Sequence, residues 1–259
     1  MIVKTMADFF AEGKQPEVLF WVGSAGSYDD RAKKITKAFV KILNVANVDF
    51  AVLGTEESST GDAAKRAGNE FLFQMQAMMN IEVLNGYEVK KIVTCDPHSF
   101  NTIKNEYPSL GGKYEVYHHT QFIQNLISDG RLKVNDTTLK GKKVTFHDPC
   151  YLGRANEVYE SPRDLIKRLG VNLTEMKRNK STALCCGAGG AQMFKEPEKG
   201  DKDINVLRTE DALATKPNII ATGCPYCNTM MTDGIKFKEK EAEVEVKDIA
   251  ELIAEANNL

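Results

Sequence analysis

Short apolar runs alternate along the chain with longer segments whose apolar residues recur at helical spacing. Residues 17–24 (EVLFWVGS) form a short, β-favouring run, which predicts a buried strand. The next segment, residues 29–46, places Ile35, Phe39 and Ile42 on one face and predicts an amphipathic helix. Because strands that alternate with helices form parallel sheets covered by helices, this pattern predicts an α/β fold.

The same alternation continues to the end of the chain. Further strands are predicted at residues 48–54, 89–95, 114–119, 143–149, 173–177 and 218–223. Further helices are predicted at residues 61–80, 99–107, 120–130, 161–170, 203–216 and 227–237, and residues 244–257 close the pattern. The polar segment at residues 130–143 contains glycine and is the best boundary, so the predicted domains are residues 1–130 and 131–259.

The two halves are predicted to be tandem, pseudo-symmetric repeats, each with a mostly parallel sheet flanked by helices. When the first copy is laid over the second, an oxygen side chain replaces each cysteine: Ser24 for Cys150, Ser58 and Ser59 for Cys185 and Cys186, Asp96 for Cys224, and Ser99 for Cys227. The intervals between the three motifs agree, at 33 and 36 residues in the first copy and 34 and 37 in the second. Cys95 lies one position too early to match, and is expected to be a buried residue at a strand end.

The cysteines of the second copy are expected to meet at one place. Cys150 ends one predicted strand, and Cys224 and Cys227 lie where another strand passes into a helix. The carboxyl ends of parallel strands share one edge of a sheet, and a helix start lowers the pKa of a nearby thiol. The CCGAGG glycines, which include Gly187 and Gly189, allow close approach of the backbone to a bulky cofactor. The pattern therefore predicts a polythiolate metal site.

Composition excludes several functional classes. A net charge of −2 and a pI near 6.2 give no basic footprint for nucleic acid. No apolar run approaches the roughly 18 residues of a membrane span, and the first residues do not form a signal peptide. We therefore expect a cytoplasmic protein with no transmembrane segment, in which clustered thiols serve metal or redox chemistry.

The motifs HDPCYLGR (residues 147–154), CCGAGG (185–190) and GCPYCNTMM (223–231) resemble the CCG-type cysteine-rich domain. This family includes the B-type subunits of heterodisulfide reductases and the iron–sulfur subunits of lactate utilisation and glycolate oxidase. The resemblance covers nearly the whole chain as two copies. It implies that Cys150, Cys185, Cys186, Cys224 and Cys227 hold a [4Fe–4S] cluster, which is non-cubane in the heterodisulfide reductase branch.

The first copy departs from the family pattern at all five positions. Serine and aspartate are hard oxygen ligands and poor hosts for iron–sulfur clusters, so metal is expected only in the second copy. One cluster favours an electron-transfer subunit of a multi-subunit oxidoreductase, with a flavin- or ferredoxin-type iron–sulfur partner. We expect the serine-lined edge of the first copy to face the cysteines, because related faces of tandem copies tend to pack together.

Two other functions remain open from the sequence. Zinc bound by a subset of the cysteines would make the chain a stabilised interaction module. Cys224 and Cys227 alone would suit a dithiol oxidoreductase, although the other three cysteines of the second copy would then be unexplained.

Histidine and arginine provide weaker candidates. His147 and Arg154 flank Cys150 and are candidates for a hydrogen bond near the cluster, for substrate protonation, or for charge compensation. His98 is expected at a helix start, and His118 and His119 are expected to be structural.

Overall fold

The computed structural model describes residues 3–196 and 199–259, and the strands within those residues form two separate sheets. The first sheet contains β1 (Lys4–Thr5), β2 (Val18–Trp21), β3 (Phe50–Val52), β4 (Lys91–Thr94) and β5 (Glu115–His118). The second contains β6 (Lys143–Phe146), β7 (Asn172–Leu173), β8 (Ile219–Thr222) and β9 (Glu245–Asp248). Every strand pair is parallel.

The two sheets share one strand order. The first is arranged β1-β3-β2-β4-β5 and the second β7-β6-β8-β9, so the second matches the first without its edge strand β1. The predicted α/β class, with two repeats of parallel sheet, is confirmed.

Helices flank the strands in both copies. The first copy contains α1 (Met6–Ala11), α2 (Gly23–Tyr28), α3 (Ala32–Val45), α4 (Asp62–Arg66), α5 (Glu70–Gly86), α6 (Pro97–Asn101) and α7 (His119–Ser128). The second copy contains α8 (Glu160–Arg168), α9 (Ile204–Leu213), α10 (Pro225–Phe237) and α11 (Ile249–Ala256).

The two copies pack against each other through equivalent helices. Helix α3 of the first copy packs on α11 of the second, and α8 of the second packs on α7 of the first. One apolar core contains side chains from both copies, including Phe39, Ile42, Phe146, Leu165 and Ile253. The two contacts use equivalent pairs of helices, as expected if a pseudo-twofold axis relates the two copies.

Three local predictions were wrong. The single helix predicted at residues 61–80 is split, because Gly68 adopts a left-handed φ of 85° and Asn69 caps the start of α5. The strand predicted at 173–177 shrinks to Asn172–Leu173, and Ser24 lies in a short helix rather than at a strand end. Local pattern did not indicate β1, α1 or α2.

No helix in the described part of the chain has both the length and the apolar character needed to cross a bilayer.

Candidate metal centre

Three loops at the carboxyl edge of the second sheet carry the five cysteines of the second copy. Cys150 follows β6, and Cys185 and Cys186 lie in the long connection between β7 and α9. Cys224 follows β8 and is the N-cap of α10, where its sulfur accepts the Cys227 amide at 3.5 Å. Pro225 opens that helix, as expected for a first-turn position that needs no N–H donor.

The five thiols form a continuous chain of contacts. The Sγ atoms of Cys186 and Cys227 lie 3.3 Å apart. Cys150 and Cys185, Cys185 and Cys186, and Cys224 and Cys227 are also neighbours, close enough for one thiol to shift the pKa of the other. All are free thiols. The sequence-predicted cysteines therefore come together, while Cys95 is separate and buried in the shared core.

Within the five-cysteine group, hydrogen bonds from neighbouring thiols favour the thiolate form of one residue, Cys185. Hydrogen bonds from Cys150 and Cys186, together with the Gly187 amide at 3.3 Å, lower the pKa of Cys185 well below its ordinary value. The hydrogen bond to Cys185 raises the pKa of Cys150, and burial adds to that increase. The neighbouring thiols also raise the pKa of Cys186 and Cys227, so a bound metal would have to displace the protons of Cys150, Cys186 and Cys227.

Burial differs across the five-cysteine group. Cys186, Cys224 and Cys227 are 3%, 1% and 3% exposed, whereas Cys150 and Cys185 are half-buried. One side of the group therefore approaches the surface, and the other is enclosed by protein.

His147 is fully buried beside these sulfurs. One ring nitrogen of His147 and the sulfurs of Cys186 and Cys227 all lie within 4.8 Å of one another. His147 Nδ1 accepts the Arg208 Nε–H at 2.9 Å, so the proton of the neutral ring lies on Nε2. Burial and the Arg208 charge lower the pKa of His147 to about 3, which keeps the ring neutral.

Arg208 is a buried cation beside His147 that the sequence did not indicate. It is 0% exposed, and it also donates to the Arg178 carbonyl oxygen at 2.7 Å. It lies on α9, 61 positions from His147, so no local motif joined the two. Arg154, the cation named from the sequence, is instead exposed and donates to the Ala183 carbonyl oxygen.

Two glycines shape the CCGAGG loop. Gly187 has a φ of 93°, a left-handed conformation that favours glycine, and this conformation accompanies the amide contact with Cys185. A Cβ at Gly189 would lie 3.4 Å from His98 of the first copy, so this loop packs closely across the boundary between copies.

The sulfur-rich donor set fits a soft metal or an iron–sulfur cluster. Its thiols are neighbours, and the Gly187 amide and the His147 ring lie beside them. Soft thiolates are the ligands that iron–sulfur clusters and zinc require.

Four of the five equivalent residues of the first copy form hydrogen bonds within the protein. Asp96 caps α6 by accepting the amides of His98 and Ser99 at 3.0 and 3.1 Å, and the Ser99 hydroxyl at 2.7 Å. The Ser58 hydroxyl donates to Asn80 at 3.0 Å, and Ser59 Oγ accepts the Gly61 amide at 3.2 Å.

A cleft joins this oxygen-lined site to the second copy. Its cavity volume is about 50 Å³. The first copy contributes all five replaced positions, and the second contributes the CCGAGG loop and Tyr226. The serine-lined edge therefore faces the second copy, although none of the five cysteines lines the cleft.

Other histidines have structural partners across the boundary. His118 Nε2 lies 3.0 Å from the Gly223 carbonyl oxygen, and His119 Nε2 lies 2.9 Å from Asp248 Oδ1. Both rings are fully buried, as expected of structural residues.

The sequence profile of the cysteine-rich CCG domain matches the chain twice, at residues 18–104 and 144–232. The chain belongs to the CCG family. The predicted resemblance is confirmed, and the first CCG match includes the copy that lacks the cysteines.

Several curated proteins contain a region similar to this CCG chain. FadF of Bacillus subtilis, a probable iron–sulfur-binding oxidoreductase, is 51% identical over 98% of the chain and 36% of FadF. The EtfAB:quinone oxidoreductase of Syntrophomonas wolfei is 44% identical over 98% of the chain and 36% of that protein. The D-type subunit of the Methanosarcina barkeri dihydromethanophenazine:CoB–CoM heterodisulfide reductase is 33% identical over 94% of the chain and 59% of its own length.

The chain thus spans between about a third and three fifths of these relatives. Among solved structures, the glutamate racemase RacE1 of Bacillus anthracis aligns with 92% of the chain and 77% of its own, at 15% identity and a TM-score of 0.37.

Proposed function

We propose that this CCG chain is an electron-transfer module of a larger oxidoreductase, and that its second copy holds one [4Fe–4S] cluster. The observation that carries the proposal is the chain of contacts among Cys150, Cys185, Cys186, Cys224 and Cys227. Five soft ligands exceed the four that a tetrahedral zinc site uses. The relatives named as iron–sulfur proteins and oxidoreductases support the same chemistry.

The cysteines would act as the cluster ligands, and a bound cluster would supply one-electron redox chemistry. Two N–H donors are available to sulfur: the Gly187 amide, and the Nε2–H of His147. Such hydrogen bonds stabilise the electron-rich form of a cluster and raise its reduction potential.

His147 is better suited to donate to sulfur than to bind metal. A histidine ligand donates its remaining ring N–H to an acceptor, commonly a carboxylate or carbonyl oxygen. Here the remaining nitrogen, Nδ1, instead accepts from Arg208, which leaves the ring proton on Nε2. The buried Arg208 charge would also offset the negative charge of the thiolates.

The first copy is proposed to hold no cluster. Its Asp96 and Ser99 satisfy one another, and its Ser58 and Ser59 are bonded to protein groups. Oxygen ligands are hard, and four of the five positions are already hydrogen-bonded, so the first copy would offer iron and sulfide no set of free soft donors.

Electrons would enter or leave at the half-buried side, near Cys150 and Cys185. A flavin- or ferredoxin-type iron–sulfur subunit or domain is the proposed partner. The names of the relatives, which include an EtfAB:quinone oxidoreductase and part of a heterodisulfide reductase, support an assembly of this kind.

Zinc is the second candidate, because a group containing His147, Cys186 and Cys227 is compact enough for a metal ion. A dithiol oxidoreductase is less well supported. Such enzymes expose a thiolate, whereas Cys224 and Cys227 are buried and hydrogen bonds with neighbouring thiols raise the pKa of Cys227.

Metal analysis of the anaerobically purified chain tests the proposal. We expect iron and acid-labile sulfide in near-equal amounts, with visible absorption that is bleached by dithionite. Zinc without sulfide would establish the second candidate, and a metal-free protein with full disulfide turnover would establish the dithiol function.

A further inference from the structure

Helix α5 carries large apolar side chains on the face that is directed away from its own copy. Phe71 is 79% exposed, and the exposed fractions of Met75, Met78 and Met79 are 45%, 59% and 57%. They are four of the eleven large apolar side chains that are exposed in the described part of the chain. Single exposed apolar residues are normal, whereas a contiguous group of them marks an interaction surface.

The spacing of these four residues places them in one stripe. Met75, Met78 and Met79 lie four, seven and eight positions after Phe71, which in an α-helix is one face over two turns. At 1.5 Å per residue the stripe is about 12 Å long. We refer to Phe71, Met75, Met78 and Met79 as the α5 stripe.

The opposite face of α5 is also apolar. Phe73, Ala77, Ile81 and Leu84 are buried in a core of the first copy, and these contacts anchor the helix. A helix that is apolar on opposite faces is normally enclosed on both. The α5 stripe is therefore the face that the chain itself leaves open.

The equivalent helix of the second copy shows that the repeat does not need such a stripe. Helix α9 follows the CCGAGG loop and precedes β8, as α5 follows the equivalent loop and precedes β4. The large apolar side chain that α9 exposes is Ile204, at its first position. Its surface residue Glu210 instead forms ion pairs with Lys202 at 2.9 Å and Lys238 at 2.5 Å.

The charges on α5 are all acidic. Glu70 and Glu82 are the charged residues of the helix and both are exposed, and Glu82 continues the stripe by one turn. The nearest preceding cations in the sequence, Lys65 and Arg66, both pair with Glu106. The α5 stripe is thus an apolar surface with carboxylates at its two ends, which complements a partner that carries basic groups beside apolar ones.

This charge pattern disfavours a second copy of the chain and a lipid surface. If two α5 helices paired through their stripes, a carboxylate of one would face a carboxylate of the other in either orientation, and like charges repel across an interface. Helices that lie on anionic membranes carry lysine and arginine beside their apolar face, and α5 contains neither. A protein partner with basic residues meets neither objection.

We propose that the α5 stripe docks an amphipathic helix of a partner protein, whose apolar side chains pack on Phe71 and the methionines and whose lysine or arginine residues lie beside Glu70 and Glu82. Flexible methionine side chains adapt to the shape of such a helix. The stripe lies outside both the cysteine group and the cleft lining, so this inference goes beyond the proposed function.

A synthetic amphipathic helix of leucine and lysine, about four turns long, is the probe for this surface. The peptide carries a fluorescein label, and its anisotropy is measured against increasing concentrations of the anaerobically purified full chain. A second peptide, in which glutamate replaces every lysine, tests the charge of the surface. We expect saturable binding of the lysine peptide and roughly tenfold weaker binding of the glutamate peptide.

Substitutions on α5 assign that binding to the stripe. Met78→Lys should weaken binding of the lysine peptide roughly tenfold, because it places a cation in the middle of an apolar contact. Glu82→Lys should weaken the lysine peptide about threefold and strengthen the glutamate peptide by a similar factor, an exchange that a loss of folding would not produce. Both positions are exposed, so folding should be unaffected.

Phe237→Lys is the matched control. Phe237 is 69% exposed and lies on α10, and its replacement by lysine changes the net charge as Met78→Lys does. Both peptides should bind this variant as they bind the unchanged chain.

Several outcomes would overturn the proposal. If the lysine peptide does not bind, binds no better than the glutamate peptide, or is weakened equally by Met78→Lys and Phe237→Lys, the stripe is not the docking site. A dimer in sedimentation velocity that Met78→Glu dissociates would assign the stripe to a second copy. Binding to vesicles of phosphatidylcholine and phosphatidylglycerol that Met78→Glu abolishes would assign it to lipid.

Discussion

Asp96 and Cys224 occupy the same place in the two copies and perform the same structural task with different atoms. Each follows a strand of its sheet and caps the next helix, Asp96 with two amide contacts and Cys224 with one. The residue three positions later differs more between the two copies. Ser99 donates back to Asp96 at 2.7 Å, whereas Cys227 turns to Cys186 of another loop.

This difference separates what the fold needs from what a metal site needs. A helix cap needs only an acceptor at the strand end, and either oxygen or sulfur serves. A metal site needs donors from separate loops to converge, as those of Cys186 and Cys227 do. In the first copy, four of the five equivalent side chains form hydrogen bonds within that copy instead.

The largest expected effect that tests this comparison is on metal content. Cys227→Ser should remove most of the iron and sulfide, because an oxygen ligand replaces a soft thiolate within the five-cysteine group. Cys95→Ser should leave both unchanged, since Cys95 lies in the shared core. Iron and sulfide analysis of the two variants, purified side by side, is the measurement. Equal loss in both would mean that the alignment of the copies is wrong.

A second prediction uses Glu57, which has Leu184 as its counterpart. Glu57 accepts the amides of Val22 and Gly23 at 2.9 and 2.6 Å. Burial raises its pKa to about 7, against the effect of those hydrogen bonds. The folded state therefore holds this proton more tightly than the unfolded state does, so the group stabilises the fold below pH ~4.5 and that stability is lost as pH rises through 7.

Glu57→Gln should remove that dependence. The difference in unfolding free energy between wild type and variant should shift by up to roughly 3 kcal/mol between pH 4.5 and 8, with the wild type relatively weaker at pH 8. Urea unfolding at both pH values measures it, and the subtraction cancels titration of the cysteines. A difference that stays constant with pH would contradict the assignment.

Removal of either of two helix caps in the first copy, Asp96 or Asn69, should have a smaller effect on the unfolding free energy. Asp96→Ala removes an acceptor of three hydrogen bonds at a buried position, and should cost about 2 kcal/mol of unfolding free energy. Asn69→Ala, which removes the exposed cap of α5, should cost about 1 kcal/mol. Chemical denaturation ranks the two. If Asn69→Ala costs as much as Asp96→Ala, then the oxygen set is not what stabilises the first copy.

Much of this organisation could be predicted because it depends on residues that are close together in the sequence. The alternation of strands and helices predicted the parallel sheets. The matching intervals between motifs predicted the positions of the cysteine group and of its oxygen-lined counterpart. Cysteines also carry a strong signal, since five of them in three motifs are hard to explain by burial alone.

The remainder depends on contacts between distant positions. His98 and Asp62 are 36 positions apart, and His147 and Arg208 are 61 apart, so no short motif contains either pair. Arg208 lies within an ordinary amphipathic helix, where arginine is usually a surface residue. The split between α4 and α5 was missed for a different reason: apolar residues continue on both sides of Gly68 and masked the break.

The smallest expected effect concerns Arg154, the cation that the sequence placed nearest to Cys150. Its side chain is exposed and donates to the Ala183 carbonyl oxygen, two positions before Cys185, and makes no contact with a thiol in the described structure. An exposed charge is screened by solvent, whereas the buried Arg208 is not. Arg154→Ala should therefore change the unfolding free energy by no more than about 0.5 kcal/mol and leave the reduction potential nearly unchanged. His147→Leu removes a buried Nε2–H that has no partner in the described structure and that would donate to cluster sulfur. This variant should lower the potential, because a hydrogen bond to sulfur favours the reduced form. Potentiometric titration of both variants compares them directly. A larger shift for Arg154→Ala than for His147→Leu would show that the solvent side of the cysteine group, rather than its buried side, sets the potential.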